Sequence, residues 1–216
     1  MNIRSFKKRL AAKLGAEDGT VSVEAVLVFP LLIWALTATV VFFDAFKTLH
    51  LCQNASYAVA DMLSRESVAI DDDYLTAMHE VFAHLAKGDG GTSSLRVTVV
   101  HRGLDADGND EGVTLFWSEG VNGAQRYANL NVLEDRIPTM QIGDYLVVVE
   151  TEHEWAPAFA VGLASYRFRE VGISRTRFAT RLCYDDGTGS NCGPDGTGAM
   201  TAPGSDDGEF GGDDTT

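Results

Sequence analysis

The stretch Gly19–Phe46, GTVSVEAVLVFPLLIWALTATVVFFDAF, decides how the chain is organised. From Ala25 to Phe43 there is no charged residue, and nearly all side chains are aliphatic or aromatic. An α-helix needs about 20 mostly apolar residues to cross a hydrocarbon core of about 30 Å. We therefore expect a transmembrane helix over residues 20–46. Pro30 removes one internal hydrogen bond and is expected to kink it.

The charges on either side of this helix predict its orientation. Five basic residues precede it, and only Lys47 follows soon after it; the five are Arg4, Lys7, Lys8, Arg9 and Lys13. By the positive-inside rule, residues 1–19 form a basic cytoplasmic leader and the C-terminal part of the chain lies outside the cytoplasm.

Glu24 is unusual for a simple membrane anchor, because burying a carboxylate costs several kcal/mol unless it has a partner. The hydrophilic junction Glu17-Asp18-Gly19 precedes the apolar run, whereas a secretory signal has its small-residue cleavage site after that run. A processing site, if present, is therefore expected on the cytoplasmic side.

A basic leader, Gly19, four further residues, Glu24 and a long apolar helix together resemble the class III signal of type IV pilin-like proteins. The early Pro30 and the small polar run before Glu24 more closely resemble the TadE/TadF pseudopilins of tight-adherence (Flp) pilus systems. The resemblance covers roughly residues 15–65. It implies that a prepilin peptidase cuts between Gly19 and Thr20, and that Glu24 of one subunit neutralises the Thr20 amine of another. The alternative is a lone carboxylate that reaches the lipid headgroups.

The resemblance implies a minor pseudopilin that takes part in Flp/Tad pilus assembly or adherence-related secretion. It implies a single-pass protein of the bacterial inner membrane with a periplasmic C-terminal domain. The expected partners are the cytoplasmic membrane, a prepilin peptidase, other pilin-like subunits and Tad assembly components. The alternative function is that of an uncleaved single-pass envelope scaffold whose ectodomain binds another envelope protein.

The helical pattern continues beyond the apolar run. Apolar residues recur every three to four positions over an amphipathic extension, residues 47–66, so we expect one helix from about Val21 to about Arg65. Cys52 lies in this pattern, either as a small apolar residue on a helix face or as half of an intermolecular bridge.

Residues 67–183 are predicted to form an extracytoplasmic α+β domain with a short helix and an antiparallel sheet. The helix is expected over 75–85, after a capping aspartate among residues 71–73. Strands are expected at 95–102, 113–117 and 144–155, and a short helix at 128–133. A last long strand is expected to contain Arg175, Arg177 and Arg181. These arginines either face Glu150, Glu152 and Glu154 across an antiparallel pair or are independently solvated. The apolar stretch 156–163 is either a contact surface or part of the core.

The C-terminal region, residues 184–216, is rich in Gly and Asp and contains eight acidic residues and no basic one, which predicts a flexible tail. Cys183 and Cys192 close a short loop and are the expected disulfide in an oxidising compartment. The net charge of −14 argues against nucleic-acid binding by the ectodomain.

No catalytic motif stands out in the sequence. His79 and His84 are spaced one residue too far apart for the zinc helix signature H-E-x-x-H. Residues 105–112 lack the Gly and Glu of a calcium loop at the required positions, and a hairpin turn explains the same residues. We therefore expect no enzyme activity, no metal, no cofactor and no small-molecule substrate.

Overall fold

The computed structural model describes residues 20–88, 92–189 and 191–192. The predicted leader, the cleavage-site residue Gly19 and residues 193–216 of the predicted tail lie outside these ranges. The described residues form two compact units. The first comprises residues 20–50 and 154–167, and the second comprises residues 51–153 and 168–192 apart from the gaps given above.

Helix α1 (Thr20–Leu63) is 44 residues long and contains Pro30. It confirms the prediction of one long apolar N-terminal helix, and its bounds lie within two residues of those expected. In the first unit, its buried positions are Ala38 and Val41. In the second unit, residues of α1 enter the hydrophobic core at intervals of three to four, namely Cys52, Ala55, Val59, Ala60 and Leu63.

Helix α2 (Asp72–Leu85) begins where the aspartates predicted a cap. The carboxylate of Asp71 accepts a hydrogen bond of 2.8 Å from the backbone N–H of Tyr74, which satisfies one of the free donors at the helix start. The apolar side of α2 enters the core of the second unit through Leu75 and Phe82.

The sheet has four strands: β1 (Ser93–Leu104), β2 (Asp110–Val121), β3 (Tyr145–Trp155) and β4 (Tyr166–Ser174). Their order is β2-β1-β3-β4, and β1 pairs antiparallel with both β2 and β3. The acidic segment between β1 and β2 is a turn in which the carboxylate of Asp105 accepts hydrogen bonds from the N–H groups of Asp107 (2.9 Å) and Asn109 (2.8 Å). The architecture is α+β, as expected from the sequence.

Both faces of the sheet are buried. Alternate residues of β1 and β3 pack with the two helices on one face: Leu95, Val97, Val99, Val147 and Val149. On the other face, Leu146 and Val148 pack with residues of the connection between β2 and β3. The helix expected at 128–133 does not form, and this connection contains only a three-residue 3-10 helix, Glu134–Arg136. Leu133 and Met140 of this connection are buried against the sheet, and an irregular backbone can place both side chains there.

The last strand differs from the prediction. It ends at Ser174, so Arg175, Arg177 and Arg181 follow it and do not belong to it. Gly172 explains the position of β4, because a Cβ there would lie 3.1 Å from the carbonyl oxygen of Ser56 in α1. The hydroxyl of Ser174 then donates a 2.9 Å hydrogen bond to the carbonyl of Ala60.

The disulfide between Cys183 and Cys192 is present, with a Cα to Cα distance of 5.7 Å, as the sequence predicted. Tyr184, the first residue of the predicted tail, is buried and belongs to the core instead. Its ring stacks on Trp117 with centroids 5.2 Å apart, and its backbone forms a parallel bridge with Ile70. The core of the second unit therefore includes the first residue of the predicted tail.

Candidate functional site

The N-terminal half of α1 exposes a continuous apolar surface. Only 6 % of its most apolar 18-residue window is buried. Val26 and Leu27 are each 71 % exposed, whereas the apolar residues of a core helix in a water-soluble protein would be covered. By length and composition, α1 can cross a membrane. This is the one helix with that property among the described ranges.

Two threonines lie within the apolar run, and α1 satisfies both hydroxyls internally. Thr37 donates a 2.8 Å hydrogen bond to the carbonyl of Ile33, and Thr39 donates one of 2.8 Å to the carbonyl of Ala35. Because each acceptor is one turn earlier in the same helix, neither hydroxyl requires water. The apolar run can therefore contain these residues and still be compatible with lipid.

Glu24 is the exposed carboxylate of this surface. It is the sole charged side chain between Thr20 and Phe43, and it lies one helical turn after Thr20, the first residue of α1. Glu24 makes no hydrogen bond or ion pair with any residue that the structure describes. An exposed acidic group on an otherwise apolar helix surface is a candidate for pairing with a cation on another chain.

Asp44 ends the uncharged part of α1 and has a partner in the first unit. The indole N–H of Trp155, at the end of β3, donates a 3.0 Å hydrogen bond to the Asp44 carboxylate. Trp155 is buried, and the adjacent Glu154 lies 3.8 Å from Arg167 of β4. These contacts join the ends of the connection between β3 and β4 to each other and to α1.

Glu150 of β3 is at the centre of a polar cluster in the second unit. Its carboxylate accepts a 2.8 Å hydrogen bond from Nε of Arg96 and one of 3.2 Å from the hydroxyl of Tyr127, and it lies 3.5 Å from Arg136. Arg96, Arg136 and Glu150 of this cluster line a cavity of about 270 Å³. Burial, and then the neighbouring Glu150, raise the pKa of Tyr127.

The geometry of this cluster favours a structural role. The guanidinium of Arg96 lies 3.8 Å from the ring centroid of Tyr127 and also donates to the carbonyl of Gln125 at 3.0 Å. Both carboxylate oxygens of Glu150 accept hydrogen bonds, so the group does not stand free as a general base. The cluster ties the β2–β3 connection to the sheet. Sequence reasoning did not find Arg96 or Tyr127, because no local spacing relates them to Glu150.

The glutamates of β3 do pair with arginines, although not with the expected ones. Glu152 pairs with Arg169 at 2.8 Å and Glu154 with Arg167 at 3.8 Å, and both arginines belong to β4. Of the arginines expected to face β3, Arg175 pairs with Asp144 and Arg177 with Asp61, each at 2.8 Å. Arg167 and Arg169 meet these glutamates because β4 lies next to β3, whereas Arg175 and Arg177 follow the end of β4. The sequence did not predict that end.

His79 and Cys52, which the sequence analysis also considered, are buried in the second unit, whereas His84 is exposed. Nε2 of His79 is 2.9 Å from the carbonyl oxygen of Ser93, as in a hydrogen-bonded core histidine. No group of three or more metal-ligating side chains occurs within residues 20–88, 92–189 and 191–192. Cys52 is a free thiol with 1 % of its surface exposed. Its burial supports the interpretation as a small apolar residue over that of an intermolecular bridge.

Comparison of the chain with protein-family models, curated proteins and solved structures found no match.

Proposed function

We propose that this chain is a single-pass membrane protein that acts as a TadE/TadF-like minor pseudopilin in the assembly of an Flp-type pilus. The observation that supports this most is the pattern at the start of α1. A single exposed carboxylate, Glu24, lies one turn after Thr20 on a helix surface that is otherwise uncharged, mostly apolar and uncovered. A plain anchor has no use for this group, because a carboxylate on a lipid-facing surface is costly.

In the proposed mechanism, a prepilin peptidase removes residues 1–19 and leaves a charged amine at Thr20. When α1 of one subunit packs against α1 of another, Glu24 of the first pairs with this amine. Lipid and protein exclude water there, so the attraction between the two charges is stronger than in solution. Each unpaired charge is unfavourable in the same surroundings, so the pair favours one register between neighbouring helices.

The rest of the chain suits an extracytoplasmic location. The Cys183–Cys192 disulfide is stable in an oxidising compartment such as the periplasm, and the basic leader favours a cytoplasmic N-terminus. In this proposal, α1 holds the protein in the inner membrane and the second unit lies in the periplasm.

Substitution of Glu24 tests the assembly role. In a bacterium that produces Flp pili, the wild-type chain is purified from membranes through a C-terminal tag, and the pilin-like subunits that accompany it are identified by mass spectrometry. We expect Glu24→Ala and Glu24→Gln to remain in the membrane and lose these subunits, because the amine of the neighbour has no counter-charge. Ser22→Ala, an exposed polar position on the same part of α1, is the matched control and should retain them.

Equal recovery of the subunits with Glu24→Ala would count against the assembly role. That result would favour the alternative of an uncleaved scaffold that binds another envelope protein through its ectodomain, since such a contact does not need Glu24.

A further inference from the structure

The connection between β3 and β4, residues 156–165, is an apolar loop. Its sequence, APAFAVGLAS, contains no charged residue, and Phe159 at its centre is 57 % exposed. The other long hairpin connection of the sheet, between β1 and β2, has an acidic turn around Asp105 and Asp107. Val161 and Leu163 of the loop are half-buried, so Phe159 is its most exposed large apolar side chain. An exposed apolar ring in an uncharged loop is suited to contact with something apolar.

This loop belongs to the same compact unit as the apolar part of α1. Trp155, immediately before the loop, is hydrogen-bonded to Asp44 of α1. Ala38 and Val41 of α1 are buried, and Val41 is 2 % exposed. Residues 154–167 are the other segment of the first unit. The burial of Ala38 and Val41, which precede Asp44, indicates that residues 154–167 cover α1 on the N-terminal side of Asp44. With a rise of 1.5 Å per residue, Ala38 lies about 9 Å from Asp44 along the helix axis.

The residues at the base of the loop mark a change from polar to apolar surroundings. Glu154 and Arg167 pair at 3.8 Å, and Asp44 is the first charged residue after the uncharged run of α1. Trp155, which is buried, and Tyr166, which is exposed, lie between this charged level and the loop. An exposed Tyr is typical of the boundary between a membrane and water, where its apolar ring and its polar group are both satisfied.

We propose that the β3–β4 loop inserts into the outer headgroup region of the bilayer that α1 crosses, so that the protein contacts the membrane through two elements. This inference rests on the proposed membrane span. A depth of about 9 Å matches the 5–10 Å to which apolar groups enter the boundary between headgroups and acyl chains. The loop does not enter the hydrocarbon centre, because its irregular backbone would leave polar groups unsatisfied there. Lipid is favoured over a second copy of the chain because the uncharged loop belongs to the same compact unit as the exposed apolar run of α1.

Spin labelling of the full-length protein in phosphatidylcholine vesicles tests the proposal. A nitroxide is attached to one introduced cysteine at a time: Phe43→Cys on α1, Phe159→Cys in the loop, and Phe178→Cys as an aqueous control. All three phenylalanines are exposed, so the substitutions should not disturb the fold. Cys52 is buried and the other two cysteines are bonded, so the wild-type protein should take up no label and gives the background.

We expect the label at 159 to resemble the label at 43. Its collision rate with a water-soluble nickel chelate should be several-fold lower than that of the label at 178, and its collision rate with oxygen, which concentrates in lipid, should be higher. A label at 159 that is open to the chelate while the label at 43 is protected would overturn the loop insertion and leave the membrane span intact. Low access of the label at 159 to both the chelate and oxygen would also overturn it, because that pattern indicates cover by protein. Open access at both 43 and 159 would show that the span ends before Phe43, and it would overturn the insertion of the loop as well.

Discussion

Gly172 of β4 lies so close to Ser56 of α1 that a Cβ at this position would be 3.1 Å from the Ser56 carbonyl oxygen and 3.2 Å from its hydroxyl oxygen. The helix backbone cannot easily move away. We therefore expect Gly172→Val to lower the free energy of unfolding of the second unit by about 1–3 kcal/mol, as overpacking does elsewhere, and Gly172→Ala to lower it by less. Chemical denaturation followed by near-UV circular dichroism measures both. A valine variant as stable as the wild type would contradict this contact.

The pair between Arg96 and Glu150 is mostly buried, and truncating one partner should be costly. Arg96→Ala leaves the Glu150 carboxylate without its main donor, with side-chain exposure of 10 %. We expect a loss of about 3 kcal/mol in the free energy of unfolding. Arg126→Ala is the matched control, because the Arg126 side chain is 74 % exposed in its pair with Glu119 and should contribute less than about 1 kcal/mol. Similar losses for the two variants would show that burial does not strengthen the Glu150 cluster.

His101 should make the second unit less stable as the pH falls below 6.5. Burial lowers its pKa below 6.5, with a smaller opposing effect of Glu111, and its ring stacks on Tyr145 with centroids 4.2 Å apart. The unfolded chain therefore binds this proton more readily. The contribution of neutral His101 to stability is present above pH 6.5 and is lost as the pH falls through the lowered pKa.

Thermal unfolding at pH 7.5 and pH 5.5 checks this expectation. His101→Gln should have a lower melting temperature than the wild type at pH 7.5, because it lacks the stacked ring, and a smaller drop between the two pH values. If the melting temperatures of the variant and the wild type fall by the same amount between pH 7.5 and pH 5.5, the pH dependence has another source.

The disulfide should stabilise the second unit and order Tyr184. Cys183 and Cys192 are nine residues apart, and closure of such a loop is worth about 2–3 kcal/mol in the chain-entropy model. Replacing both cysteines with serine should lower the free energy of unfolding by about this amount. The near-UV signal of the stacked Trp117 and Tyr184 should weaken as well. An unchanged midpoint of unfolding would show that the chain around Tyr184 is held by its other contacts alone.

Elements with a strong local pattern were predictable from the sequence. The apolar run and the three-to-four spacing that follows it predicted α1, because such a pattern has no alternative at that length. The aspartates at 71–73 predicted the start of α2, and the structure shows that Asp71 caps it by accepting a hydrogen bond from the N–H of Tyr74. The alternation from Tyr145 to Val149 predicted β3, because side chains of a strand point to opposite faces in turn.

The remaining features depend on contacts between distant parts of the chain. The position of β4 follows from the close approach of Gly172 to α1, which no local pattern encodes. The β2–β3 connection is held by Arg96, Tyr127 and Glu150, and these residues come from separate segments. Trp155 and Asp44 are 111 positions apart, so their hydrogen bond could be found only in the folded chain.

The N-terminus of the mature protein tests the central claim most directly. The chain is purified from the membranes of cells with an active prepilin peptidase, and its intact mass and N-terminal peptide are determined. We predict an N-terminus at Thr20, with Gly19→Leu retaining residues 1–19 because a side chain at the cleavage position should block the peptidase. Wild-type chains that keep residues 1–19, in cells where a known prepilin is processed, would contradict the account.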